Sequence, residues 1–146
     1  MKKLALFVLA FAMMLPFTAK ADNERPISPD QLPEAARTFI QKTFPEIAIA
    51  YAEIETEGQR TKYEVRLSDG TEIDFNGNGE WDQVDCKYKA VPAVLVPEAI
   101  ANYVKANHAD VFITQIDKEL YGWSIELNND FDLMFSTDFK FLGIDD

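Results

Sequence analysis

The sequence predicts an α+β fold of two tandem repeats, each a helix followed by an antiparallel β-meander of about four strands, with the helices packed on one face of the sheet. Two observations carry this expectation. The 146-residue chain contains an internal duplication, and within each copy the spacing of apolar residues changes from a helical period to a period of two. The expected organisation is a signal peptide over 1–21, a first repeat over 22–90 and a second over 91–146, together forming one duplicated domain.

The opening segment has its own logic. Lys2 and Lys3 make a basic start, Leu4–Phe17 is unbroken apolar sequence, and Thr18-Ala19-Lys20-Ala21 offers small residues for cleavage before Asp22. That is the order of a secretory signal peptide, and the run is shorter than the roughly 20 residues that span a bilayer. The expected location of the mature chain is therefore the periplasm or the exterior. No cysteine follows the apolar run to carry a lipid anchor.

The duplication is legible residue by residue. Leu32-Pro33-Glu34-Ala35-Ala36 is echoed 64 positions later by Val96-Pro97-Glu98-Ala99-Ile100. The same offset pairs Phe39 with Tyr103, Ile40 with Val104 and Ile47 with Val111. Beyond that the offset is 60, pairing Val65 and Leu67 with Ile125 and Leu127, then Ile73 and Phe75 with Leu133 and Phe135. The four-residue difference is expected to shorten a hairpin loop within the polar stretch 55–61.

Each copy opens with a helix. Pro33 and Pro97 suit a first turn, where a missing N–H costs nothing, and Glu34 and Glu98 complement the positive helix end. Leu32, Ala36, Ile40 and Phe44 recur at helical spacing, and Pro45 ends the run. Alternation follows: Tyr63, Val65 and Leu67 alternate with Glu64 and Arg66, Ile73 and Phe75 with Glu72 and Asp74, and Trp123, Ile125 and Leu127 with Ser124 and Glu126. Strands of that pattern have one buried face and one open face. Ser68-Asp69-Gly70-Thr71 and Asn76-Gly77-Asn78-Gly79 are turn sequences.

These residues carry a resemblance. Ile27-Ser28, Gln31-Leu32-Pro33, Phe39-Ile40, Phe44-Pro45, Tyr63-x-Val65-x-Leu67-Ser68-Asp69-Gly70-Thr71, Asp74-Phe75, Gly79-x-Trp81 and Val84-Asp85-Cys86-Lys87 resemble the PepSY-like periplasmic family, itself described as similar to the β-lactamase inhibitor protein. In the second copy Phe139 and Phe141 replace Gly79 and Trp81. The resemblance implies tandem units whose sheets can join side by side with helices behind them. In the inhibitor protein that shape presents a sheet face which grips an enzyme. It implies no catalytic residues.

The inventory agrees that the chain is not an enzyme. The net charge is −11, and cleavage after Ala21 would remove three lysines and no acid. Such acidity excludes nucleic acid and anionic membrane surfaces as partners, because both need a basic patch. Cys86 is a single cysteine, which leaves no intramolecular disulfide, and it reads as a structural thiol. His108, the one histidine, takes the place of Phe44 in the second copy. No nucleophile elbow, metal-spaced histidines or phosphate-cradling loop is present, and no cofactor is expected.

Three readings of function follow. In the first, the open sheet face binds a cationic protein or peptide through Glu64, Arg66, Glu72 and Asp74 from the first copy and Ser124, Glu126, Asp132 and Met134 from the second. In the second, 74–85 is a calcium loop with Asp74, Asn76, Asn78, Asp82 and Asp85 as oxygen ligands and Gly79 at the tight turn. Against this, the preceding sequence is strand-like, and the duplicate at 134–145 keeps the pattern while losing Asp74 and Gly79. In the third, the chain is an envelope protein that associates through its sheet edges.

Overall fold

The computed structural model describes residues 23–145. The signal-peptide segment lies outside the described residues. Two helices form where the apolar stripes predict them: α1 (Glu34–Thr43) and α2 (Glu98–Asn107). Pro33 and Pro97 stand at their N-caps, just outside the first turn, where the helix does not need the N–H that proline lacks. Phe44 and His108 occupy equivalent C-caps, each donating its backbone N–H over 2.8 Å to Ile40 and Val104 respectively. A single 3-10 turn precedes each helix, at Pro29–Gln31 and Ala93–Leu95.

The strands are β1 (Glu24–Pro26), β2 (Ile49–Glu57), β3 (Arg60–Leu67), β4 (Glu72–Asn76), β5 (Trp81–Asp85), β6 (Ile113–Glu119), β7 (Gly122–Leu127), β8 (Asp132–Ser136) and β9 (Phe141–Asp145). All nine pair antiparallel in sequence order, in one sheet.

This corrects the expected architecture. The protein is not two tandem helix-plus-meander units; among the described residues it is one nine-stranded antiparallel sheet carrying two ten-residue helices. The sheet does not stop between the copies. Gln83, Val84 and Asp85 of β5 pair with Asp117, Ile116 and Gln115 of β6. Two separate meanders would leave unpaired N–H and C=O groups along both of these strands, and joining them satisfies both edges at once. The join also places Val84 and Ile116, neither of them exposed, in one continuous core. The short β1, which the sequence reading omitted, extends the sheet beyond β2.

The core lies between the sheet and the helices. Val65, Leu67, Ile73, Phe75, Val84, Ile116, Ile125, Leu127, Leu133 and Phe135 present one face to Ala36, Ile40, Ile100 and Val104. Burying each large aliphatic or aromatic side chain contributes about 1.5–3 kcal/mol. The duplication is visible in the packing: Phe39 meets Phe75 edge-on at 5.7 Å, and Tyr103 meets Phe135 edge-on at 5.4 Å.

The length difference between copies is resolved otherwise than expected. Both hairpins turn through two residues, Gly58-Gln59 and Leu120-Tyr121. The four residues are lost as two from each arm, since β2 and β3 have 9 and 8 residues and β6 and β7 have 7 and 6. Removing two residues from a strand preserves which side chains face the core; removing one would invert them.

Candidate functional site

Register places all eight residues expected on the open face together on the side away from the helices. Glu64 lies opposite Asp74, and Arg66 opposite Glu72. Ser124 lies opposite Met134, and Glu126 opposite Asp132. The β5–β6 pairing joins these two quartets through residues the sequence reading missed: Gln83 opposite Asp117, and Asp85 opposite Gln115. Two lateral rows result. One runs Glu53, Glu64, Asp74, Gln83, Asp117, Ser124, Met134. The other runs Tyr51, Arg66, Glu72, Asp85, Gln115, Glu126, Asp132, Asp145. Alternation at Gln83-x-Asp85 and Gln115-x-Asp117 is the sequence signal for the linking residues, but three-residue patterns are too short to set β6 apart from a loop.

Bases are few and engaged. Lys62 pairs with Asp74 at 2.9 Å, and Arg66 with Glu72 at 3.1 Å. Lys87 bridges Asp85 at 2.8 Å and Glu72 at 3.1 Å, beside the join between the copies. The remaining carboxylates repel one another. Burial raises Glu64 above its ordinary range, and Asp74, Glu53 and Glu72 raise it further. Glu126 and Asp132 are also raised by burial first and then by neighbouring acids. Burial pushes Asp117 up to about 6; the Gln115 amide, 3.1 Å from its carboxylate, works in the opposite direction, and Glu119, Asp74 and Asp85 add to the rise. Apart from the effect of burial, the closeness of these acids gives the face a negative potential.

The loop 74–85 is the β4–β5 hairpin. Asn76 Oδ1 accepts from the backbone N–H groups of Asn78 at 2.9 Å and Glu80 at 3.0 Å, so this oxygen shapes the turn. Asp74 and Asp85 face the open side and are paired with lysines. Among the described residues no cluster of three or more histidine, cysteine or acidic side chains could hold a metal ion. Gly79 has a structural duty. Its φ is +82°, and an added Cβ would lie 2.8 Å from Pro33 Cβ and 3.0 Å from the Ala36 nitrogen, where α1 approaches.

Cys86 is buried, and burial pushes its thiol up to about 11, well away from a reactive thiolate. His108 stands beside Tyr103, with ring centroids 6.2 Å apart, at the rim of an apolar cavity of about 420 Å³ between α2 and the start of β6. On the open face a polar depression of about 550 Å³ is lined by Asp85, Lys87, Gln115 and Glu126, where the two copies meet.

A family profile described as "Putative beta-lactamase-inhibitor-like, PepSY-like" matches residues 19–68 and again 61–143. Among solved structures, a "putative periplasmic protein from DUF2874 family" of Bacteroides vulgatus ATCC 8482 superimposes with a TM-score of 0.82 at 36% identity, over 86% of this chain and 99% of that one. A second B. vulgatus protein, described as periplasmic and of unknown function, gives 0.82 at 37% identity over 84% and 99%. A Bacteroides thetaiotaomicron protein described as a "putative calcium-regulated periplasmic protein" gives 0.81 at 32% identity over 84% and 97%. No curated protein matches.

Proposed function

The chain belongs to the PepSY-like family and is periplasmic, and from that premise we propose that it is a non-catalytic binding module whose acidic open face holds a cationic protein or peptide. The observation that supports this is the pair of unbroken rows running across the β5–β6 join, which combine the acids of both copies into one surface. A sheet face that were merely solvated would gain nothing from like charges directly opposite one another, such as Glu64 and Asp74 or Glu126 and Asp132; such pairs oppose folding. A cationic partner would offset that repulsion, and its binding would weaken as salt rises.

The test compares capture of envelope proteins by the mature chain with capture by a Glu64→Lys, Glu72→Lys, Glu126→Lys variant. A Glu34→Lys, Glu98→Lys variant, altered on the helices, serves as control. The expected result is a partner retained by the native protein and the helix control and lost from the open-face variant by at least about tenfold, equivalent to about 1.4 kcal/mol. Equal retention by all three would sink the proposal.

A second reading comes from the neighbour described as calcium-regulated. In this chain it would use the loop 74–85, and it requires Asn76 to exchange its backbone partners for an ion. A melting temperature that rises with calcium and not with magnesium, and that loses the rise on Asp85→Asn, would support it.

A further inference from the structure

The chain holds two tryptophans, and the fold brings them together from different copies. Trp81 of β5 and Trp123 of β7 lie with ring centroids 6.3 Å apart at 62°. Phe39 of α1 stacks on Trp81 at 6.1 Å, and Phe139 approaches Trp123 at 5.8 Å. Lys118 of β6, the strand between them, sets its ammonium 3.8 Å from the Trp81 centroid and 5.9 Å from that of Trp123. Among the described residues no carboxylate lies within 4.0 Å of that ammonium. The rings are its principal contact, with Asp82 and Glu80 supplying negative potential from farther off.

The duplication provides an internal comparison. In β2 and β3 of the first copy the position opposite Tyr63 is Ile54; in the second copy the position opposite Trp123 is Lys118. An aliphatic residue is thus sufficient for the fold at this point. The second copy instead has a lysine, a larger aromatic partner and a second tryptophan across the join. Holding that lysine is costly, because burial against the rings pushes its ammonium below its ordinary range despite Asp82 and Glu80. An ammonium close over one indole face, with a second indole at the limit of contact, is a geometry by which proteins recognise cationic groups, at about 0.5–2 kcal/mol.

We propose that Trp81 and Trp123 form a binding site for a cationic side chain of a partner, and that Lys118 occupies it in the free protein as an internal stand-in. The ligand class is an alkylammonium, lysine or its methylated forms. Lys118 is exposed as a residue even though its ammonium is partly covered by the rings, and its flexible stem lets it swing out and yield the place. By strand alternation Lys118 and Trp123 share the side of Ile116 and Ile125, opposite to Asp117 and Glu126. The rings therefore lie on the opposite side of the sheet from the acidic rows, and the proposal does not rest on the binding role of those rows.

Because both tryptophans belong to the site, their fluorescence reports on it directly. Tetramethylammonium is the probe, and neopentyl alcohol the uncharged control of similar shape. The native protein is expected to respond weakly. Lys118→Met keeps the length of the side chain and removes its charge; it should bind the probe with a saturable fluorescence change and an affinity raised by about tenfold or more, since an intramolecular competitor is gone. Lys118→Met with Trp81→Phe should lose most of that gain while Trp123 still reports. An unchanged response on removing Lys118, or an equal response to neopentyl alcohol, would overturn the proposal. Circular dichroism on each variant verifies folding, and charge reversal at Glu64, Glu72 and Glu126 should leave the fluorescence titration unaltered.

Discussion

At the scale of the residue, two positions show how local chemistry was redirected by neighbours. Gly79 fits a calcium-loop pattern, yet its positive φ and the approach of α1 explain it without an ion. Its counterpart Phe139 also adopts a positive φ, 64°, so the turn shape is common to both copies while the close contact argument applies to the first. Gly79→Ala should therefore destabilise by about 2 kcal/mol, from left-handed backbone strain plus the clash with the helix. Equilibrium denaturation measures it, and a loss below about 0.5 kcal/mol would contradict the contact. Asp117 is the second case. Its carboxyl titrates near 6 in the fold against 3.8 for the ordinary group. At pH 7 it is ionised in both folded and unfolded chains, and the fold bears the cost. As pH falls through 6 the folded chain takes up the proton first, so this group adds stability down to about the ordinary value and nothing below it. Asp117→Asn should raise stability at pH 7 by on the order of 1 kcal/mol, discounted for solvent screening, and flatten the rise between pH 7 and 5. A melting series against pH decides the matter.

At the scale of the element, the β4–β5 hairpin is organised by Asn76. Its side chain serves two backbone donors, and its own backbone N–H donates to the Glu80 carbonyl at 2.8 Å. Asn76→Ala should cost about 1 kcal/mol, and by the same amount in calcium as in chelator. A loss confined to calcium would mean that an ion, and not the turn, holds the loop. The β2–β3 and β6–β7 hairpins illustrate the complementary rule. The first is two residues longer in each arm, and its turn Gly58-Gln59 is replaced by Leu120-Tyr121, both strongly exposed, yet buried Ala52, Val65 and Leu67 keep buried apolar counterparts in Ile116, Ile125 and Leu127. Strand period constrains the faces strictly and constrains length only to even steps.

At the scale of the whole molecule, one sheet and one core imply one unfolding event. Ile73 and Leu133 occupy matching positions in β4 and β8 and are both fully buried. Ile73→Ala and Leu133→Ala should each shift the same single transition, by about 2–5 kcal/mol. Two transitions, each sensitive to one substitution, would show that the β5–β6 pairing does not couple the copies. That pairing also brings Asp117 between the two quartets of open-face residues and sets Trp81 beside Lys118.

Much of this was legible in the sequence because it depends on period alone. The helical stripe Leu32, Ala36, Ile40, the alternation at Tyr63–Leu67 and its echo at Trp123–Leu127 determine which side chains are buried and which face is open. The duplication, being a comparison of the chain with itself, needed no coordinates. What period cannot express is which strand edges meet. The chain from Asp85 to Ile113 could return on either side of the first meander or stand apart, and each choice preserves the same alternation. Only the tertiary structure decided it, because the edges of β5 and β6 satisfy each other's hydrogen bonds while Val84 and Ile116 close a common core. The expectation of two units failed at that point, and the acidic rows and the tryptophan pair exist for the same reason: both are assembled across a join that sequence spacing does not encode.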